Sequence, residues 1–222
     1  MASWMVHLRV ADALLDKLDG LDETAFVVGN IAPDSGVPTP DWSAYVPDKM
    51  ISHFRVQGEL GTTKNSVDYF ASRFFTKEQR EYYNQKQYSF YLGYIVHLWT
   101  DVLWQTEIWQ TSVNADRVAY EADPKGMTWK WKKDWYDLDF LYLRDHPDFR
   151  AFRIYEQAVN FENDYLDIFA KDAFDDRRKY ITGFYRSKKE NLDREYPYLS
   201  KIEMDKFVED AVQYIEKALS SG

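Results

Sequence analysis

Apolar residues recur at helical spacing along most of the 222-residue chain. From Trp4 to Leu18, the residues His7, Ala11, Leu14 and Leu18 share one side of a helix, while Arg9, Asp12, Asp16 and Lys17 fall mostly elsewhere. His7 therefore points inward. Asp19-Gly20 closes that helix, and a short apolar run from Thr24 to Ile31 leads into Ala32-Pro33-Asp34-Ser35-Gly36. Pro38, Pro40 and Pro47 follow, so the region from Asn30 to Pro47 reads as an irregular loop. Periodicity resumes near Lys49, with His53 near the start of that helix, and Thr76-Lys-Glu-Gln79 is a capping box ahead of a helix through Arg80 to Tyr83. From Tyr88 to about Glu107 the pattern is apolar nearly all round, as expected of a central helix with neighbours on every side.

Asp123-Pro124-Lys125-Gly126 is a turn signal that separates a His-rich front half from a back half of charged amphipathic stretches. Ser200-Lys-Ile-Glu203 is a second capping box, and Met204, Phe207, Val208, Ala211, Ile215 and Leu219 follow at clean helical spacing. No internal repeat and no convincing strand alternation occur. The expectation is an all-α fold: one domain over 1–222, a bundle of about seven to nine helices around a central apolar helix. Residues 1–110 carry the chemistry-bearing motifs and 111–222 read as helical scaffold.

Composition narrows the chemistry. The chain has no cysteine, which excludes disulfides, thiolate metal sites and cysteine nucleophiles, so metal ligands must come from His, Asp and Glu. A net charge of −9 disfavours long nucleic acid as a partner and favours small substrates. The most apolar segment, Tyr88 to Trp104, carries His97 and Asp101 in its middle, so stable membrane insertion is not expected. The first 25 residues hold charges within an amphipathic pattern rather than a signal-peptide run, and the expected location is cytoplasmic.

His97-Leu-Trp-Thr-Asp101 sets an imidazole and a carboxylate one helical turn apart on one face, able to chelate one cation. An unpartnered Asp in so apolar a helix costs several kcal/mol, so a cation or strong hydrogen bonds must compensate. Taken alone, the pair leaves two readings open: a metal site, or a histidine bonded to its own neighbour. His7, Asp34 and His53 add separate elements that can converge on it, and three of the four histidines then belong to one set. Imidazole with carboxylate suits Zn2+, with Mn2+ or Fe2+ as alternatives. Gly93, one turn before His97, lets another backbone approach the helix there, or serves ordinary helix packing.

The pieces Trp4-Met-Val-His7, Phe26-Val-Val-Gly-Asn-Ile-Ala-Pro-Asp34, Ser52-His53-Phe54 and Tyr91-Leu-Gly-Tyr-Ile-Val-His97-Leu-Trp-Thr-Asp101 stand in an order that resembles the zinc-dependent phospholipase C family, related to the fungal single-strand-specific zinc nucleases. The resemblance covers the first half; the second half matches only in being helical. It implies that His53, His97 and Asp101 hold one zinc, that Asp101 also bridges toward a second ion at His7, and that Asp34 activates the attacking water or adds a ligand. It departs from the family at Trp4, which follows Met-Ala-Ser where the secreted enzymes begin with a metal-binding Trp. A further His and a His-x-x-x-Glu pair complete a third site in the family. Here the remaining histidine is His146, and Glu107 stands six residues after Asp101 as a candidate ligand or a solvated helix residue. One or two metals are expected rather than three.

Other features read as structural. Asp134, Asp137 and Asp139 are assigned to helix capping, with second-sphere carboxylates as the alternative. Lys130, Lys132 and Lys133 form a solvated, snorkelling face. The tryptophans at 99, 104, 109, 129, 131 and 135 either pack the core or wall a pocket. The expected activity is metal-dependent hydrolysis of a small phosphoester, of phospholipase C or phosphodiesterase type. The alternatives are a non-catalytic metal protein and a nucleotide phosphohydrolase of the His-Asp kind.

Overall fold

The computed structural model describes residues 1–41, 44–55 and 64–220. The order is α1 (Trp4–Leu15), α2 (Glu23–Ile31), a 3-10 turn (Ala32–Asp34), β1 (Val37–Pro38), β2 (Tyr45–Val46), α3 (Lys49–Ser52), α4 (Lys64–Phe74), α5 (Lys77–Tyr82) and α6 (Gln85–Trp104). A π-helical segment (Gln105–Trp109) leads to α7 (Gln110–Ala115), α8 (Arg117–Ala122), α9 (Pro124–Asp145), α10 (Arg150–Gln157), α11 (Ala173–Arg186) and α12 (Lys201–Ser220). The fold is all-α. Twelve α-helices are described where about seven to nine are expected, and eight of them are eight residues or longer. The two short strands form one antiparallel ladder, Val37 opposite Val46 and Pro38 opposite Tyr45.

The central helix is α6. It starts at a capping box of Asn84 and Gln87, and every residue from Ser89 to Leu98 is buried. Its main partner is α2, which forms from the apolar Thr24–Ile31 run once Asp22 caps it by accepting the Ala25 N–H at 2.8 Å. The two helices cross at glycines on both sides. A Cβ at Gly93 would lie 2.1 Å from the Phe26 carbonyl oxygen, and one at Gly29 would lie 2.1 Å from that of Phe90. No larger residue fits such a crossing. Helix α1 packs across this pair, and α12 and α10 close over α1.

Trp104, Trp131 and Trp135 are buried, and Trp104 meets Trp135 and Phe207 edge-on at 5.1 and 4.9 Å. The core reading of the tryptophans therefore holds for these three, while Trp129 is 58% exposed. Both capping boxes seen in the sequence form, at Thr76 with Gln79 and at Ser200 with Glu203.

Three expectations are corrected. The Asp123–Gly126 signal is no free turn but the start of α9: the Asp123 carboxylate accepts the Gly126 N–H at 2.9 Å, and Pro124 occupies the first helical position, where a missing N–H is harmless. The acidic residues after it do not cap helices, since they lie mid-helix and buried. Asp134 and Asp137 take the Arg194 guanidinium, and Asp139 accepts the Ser3 and Tyr185 hydroxyls. The segment after Asn30 is not wholly irregular, because the 3-10 turn and the small ladder organise it. Among the described residues, no helix is long and apolar enough to cross a membrane.

Candidate metal centre

Four parts of the chain meet beside the α2–α6 crossing. Helix α1 contributes His7 from its inner face, the 3-10 turn after α2 contributes Asp34, and α6 contributes His97 and Asp101. His53 is the C-cap of one-turn α3, not near the start of a helix as its sequence suggests. The next residue, Phe54, has φ 49°, and its ring is held by Phe70 and Phe74 at 5.0 and 5.5 Å. A left-handed phenylalanine costs on the order of 1–3 kcal/mol, so this packing is what keeps the turn that aims His53 inward.

All five side chains are buried. His7 Nε2 lies 3.4 Å from Asp101 Oδ1, while Asp101 Oδ2 lies 3.5 Å from His53 Nε2 and 3.7 Å from His97 Nε2. His53 Nε2 is 3.6 Å from Asp34 Oδ1 and 3.4 Å from His97 Nε2. The His7 and His97 rings stack with centroids 3.7 Å apart. Two groups of ligand atoms result, His7 with His97 and Asp101, and Asp34 with His53 and His97, each with its atoms within 4.8 Å of one another. His97 belongs to both.

The sequence profile of the family described as zinc dependent phospholipase C matches residues 6–220. The chain belongs to that family. No curated protein and no solved structure matches it. Zinc-dependent phospholipase C membership raises the question of whether these residues fit a metal, and the donor set answers it. His97 Nδ1 sits 2.7 Å from the Asn30 carbonyl, which can only accept, so the proton is on Nδ1 and the Nε2 lone pair faces the centre. Both His7 nitrogens and Asp101 Oδ2 are buried without a hydrogen-bond partner among the described residues. Facing lone pairs repel unless a cation lies between them. Donors roughly 3.3 Å apart are what a tetrahedral ion with bonds of about 2.0–2.1 Å requires, and the observed spacings are close to that. The residues fit zinc.

Charge states agree with this fit. Burial pushes Asp34 up, but Lys49 and the His97 and His53 rings together hold it far below the usual carboxylate range. Burial likewise opposes ionisation of Asp101, and the α-amino group of Met1 with His7 and His97 outweighs it. Burial brings His53 down to about 4 and His97 well below its ordinary value, against the pull of the two carboxylates. Ionised carboxylates and neutral imidazoles are the forms a metal takes. An imidazole of ordinary pKa weakens zinc binding about twentyfold between pH 7 and pH 5. His53 and His97 are expected to add almost nothing over that range, with His53 competing only as the pH falls through about 4. Chelator-competition titrations of zinc at pH 7 and 5 check this, and a loss beyond about a hundredfold contradicts it. In the metal-free protein the same shift carries stability that is complete above about pH 6.5 and lost as pH falls through about 4, because unfolding frees His53 to bind a proton.

Glu107 does not join the others. It is exposed on the π-helical segment, where its carboxylate accepts the Thr106 hydroxyl and feels Lys206, so the helix register turns it away from Asp101. His146 is exposed and stacks on Tyr142. Trp4 packs against Tyr180, Phe184 and Tyr185, while the Ala2 N–H donates to Asp101 Oδ1 at 2.8 Å. Sequence reading missed Asn30, which acts through its backbone, and Tyr94, whose hydroxyl donates to the Ser52 carbonyl beside His53. It also missed Lys49, four residues before His53, a spacing that places both on one helical face.

Proposed function

We propose that this chain is a metal-dependent phosphoester hydrolase, with His53, His97 and Asp101 at a primary zinc, His7 at a second ion, and Asp34 handling the attacking water. The observation that carries this reading is the convergence of five buried imidazole and carboxylate groups, among them His7 and Asp101 Oδ2 without a hydrogen-bond partner among the described residues. A bound divalent ion supplies Lewis acidity, easing deprotonation of water and offsetting charge on phosphoryl oxygens.

The protein's own groups supply position. Asn30 fixes the His97 ring, and the N–H of Ala2 fixes one oxygen of Asp101. Asp34 sits on a short turn with Lys49 Nζ 3.9 Å from its Oδ1. Held ionised there, it accepts a hydrogen bond from the attacking water and orients it. In the hydrolysis, water oxygen bonds to phosphorus, the bond to the leaving oxygen breaks with its electron pair going to that oxygen, and the proton given up by the water passes to solvent and so to the leaving oxygen, with Asp34 orienting the attacking water.

The test is the zinc-loaded protein, with metal content measured, against p-nitrophenyl phosphate, bis-p-nitrophenyl phosphate and phosphatidylcholine. At least one is expected to be hydrolysed, with a loss of about a hundredfold or more in Asp34→Asn when turnover is compared per bound zinc. Metal bound with no turnover of any of the three, or turnover indifferent to chelation, would overturn the reading in favour of a structural metal.

A further inference from the structure

Four buried carboxylates lie outside the metal centre among the described residues, and Asp139 differs from the other three. Arg194 pairs with Asp134 and Asp137, and Arg178 pairs with Asp175. Asp139, 2% exposed on α9, forms no ion pair among the described residues, and Arg9, whose charge acts on it, is engaged by Asp205 at 2.6 Å. Burial pushes its carboxyl up to about 7. Its oxygens go to hydroxyls instead. Oδ1 accepts the Ser3 O–H at 2.8 Å, and Oδ2 accepts the Tyr185 O–H at 2.7 Å. As the N-cap of α1, Ser3 Oγ accepts the Val6 N–H at 3.4 Å, and the Tyr185 oxygen accepts the Met5 N–H at 3.3 Å.

The stretch held in this way reaches the metal centre twice. One residue before Ser3, the Ala2 N–H donates to Asp101 Oδ1 at 2.8 Å. Four residues after it, His7 brings its Nε2 to 3.4 Å from the same oxygen, and the His7 N–H donates to the Ser3 carbonyl at 3.2 Å. The apolar face of α1 packs without preferred direction, so burial of Met5, Leu8 and Ala11 leaves the helix free to slide by a fraction of a turn. Hydrogen bonds are directional, and a metal ligand must sit within about 0.2 Å of its bonding distance. The bonds that meet at Asp139 supply the fixed point.

We propose that Asp139 is a positioning residue for the metal centre: through Ser3 and Tyr185 it sets the start of α1 so that His7 and Asp101 Oδ1 face one cation. This rests on the reading above for the ion at His7, and on no turnover. The carboxylate is needed in its ionised form, because two oxygens then accept from two hydroxyls at once. An asparagine of the same shape accepts at one atom only and turns an N–H toward the other hydroxyl, so one of the two bonds is lost. The same change relieves the burial of an unpaired charge. A carboxyl raised to about 7 in the folded protein takes away stability as pH rises from about 4 to 7, and asparagine has no such loss. Stability and metal binding are therefore expected to move apart, as they do not where a residue only holds the fold.

The test is chelator-competition titration of zinc into the full chain at pH 8, beside thermal melts of the metal-free protein. Asp139→Asn is expected to weaken the more loosely held zinc about tenfold or more, while the metal-free Tm stays within about 2 °C of wild type or rises. If the wild type holds a single zinc, the same comparison is made on that ion. Zinc affinity unchanged in Asp139→Asn overturns the positioning role, and so does a fall in affinity that comes only with a fall of several degrees in Tm. Should Asp139→Asn fail to fold, Ser3→Ala decides, because it removes the hydroxyl facing Asp139 and leaves the carboxylate and His7 in place; unchanged zinc affinity there overturns the role as well. Zinc weakened in Asp139→Asn with no ester turned over by the wild type supports the role and defeats the hydrolase reading. Turnover by the wild type with zinc affinity indifferent to Asp139→Asn does the reverse.

Discussion

Replacing His97 by alanine is expected to remove tight metal binding altogether and to lower phosphoester hydrolysis by about a thousandfold or more. His97 is the residue common to the two ligand groups, so its loss leaves each with only two donors. His7→Ala and His53→Ala each touch one group, and each is expected to reduce metal content by part of its total instead. The variant also leaves Asp101 as a buried carboxylate short of cationic partners, which is the more damaging half of breaking a buried charged cluster. Elemental analysis beside turnover checks this. Wild-type metal content in His97→Ala would sink the assignment of a shared ligand, whatever the activity.

The second large effect is expected at a residue that offers the metal no ligand. Gly93→Ala adds one carbon at 2.1 Å from the Phe26 carbonyl and 2.9 Å from the Asn30 nitrogen, both backbone atoms that cannot rotate away. Helices α2 and α6 must separate, at a cost of about 3 kcal/mol or more, a drop of roughly 6 to 12 °C in Tm for a chain of this size. Because the Asn30 carbonyl orients His97, zinc affinity is expected to fall with stability. Gly183→Ala is the control. Gly183 lies inside α11 with nothing within 4 Å of its added Cβ, and the change is expected to stabilise by about 0.5–1 kcal/mol. Thermal melts of the two variants, metal-free, separate steric exclusion from helix propensity. Equal melting points would refute the close crossing.

The two variants also show how far the sequence can be read. Gly93 stood out as a place where another backbone could approach α6, yet the alternative of ordinary packing was equally open, because nothing local names the partner. The partner is α2, and the crossing needs Gly29 as well. The family pieces in the first half grouped His7, Asp34, His53, His97 and Asp101, and the structure brings these five side chains together. Glu107 could not be sorted in the same way, since a shift of register through a π-helical segment decides which side it faces.

What this sequence determines by itself is local. A run apolar nearly all round makes the central helix, apolar positions every three or four residues make the last one, and the capping boxes at Thr76 and Ser200 place two helix starts, because these signals act locally. The inward direction of His7 follows from the same periodicity. Tertiary structure alone decided what each inward face meets: Arg194 for Asp134 and Asp137, and the Asn30 carbonyl for His97. Periodicity records which side of a helix leaves water, but the group waiting there comes from a distant part of the chain, and only packing brings it into reach.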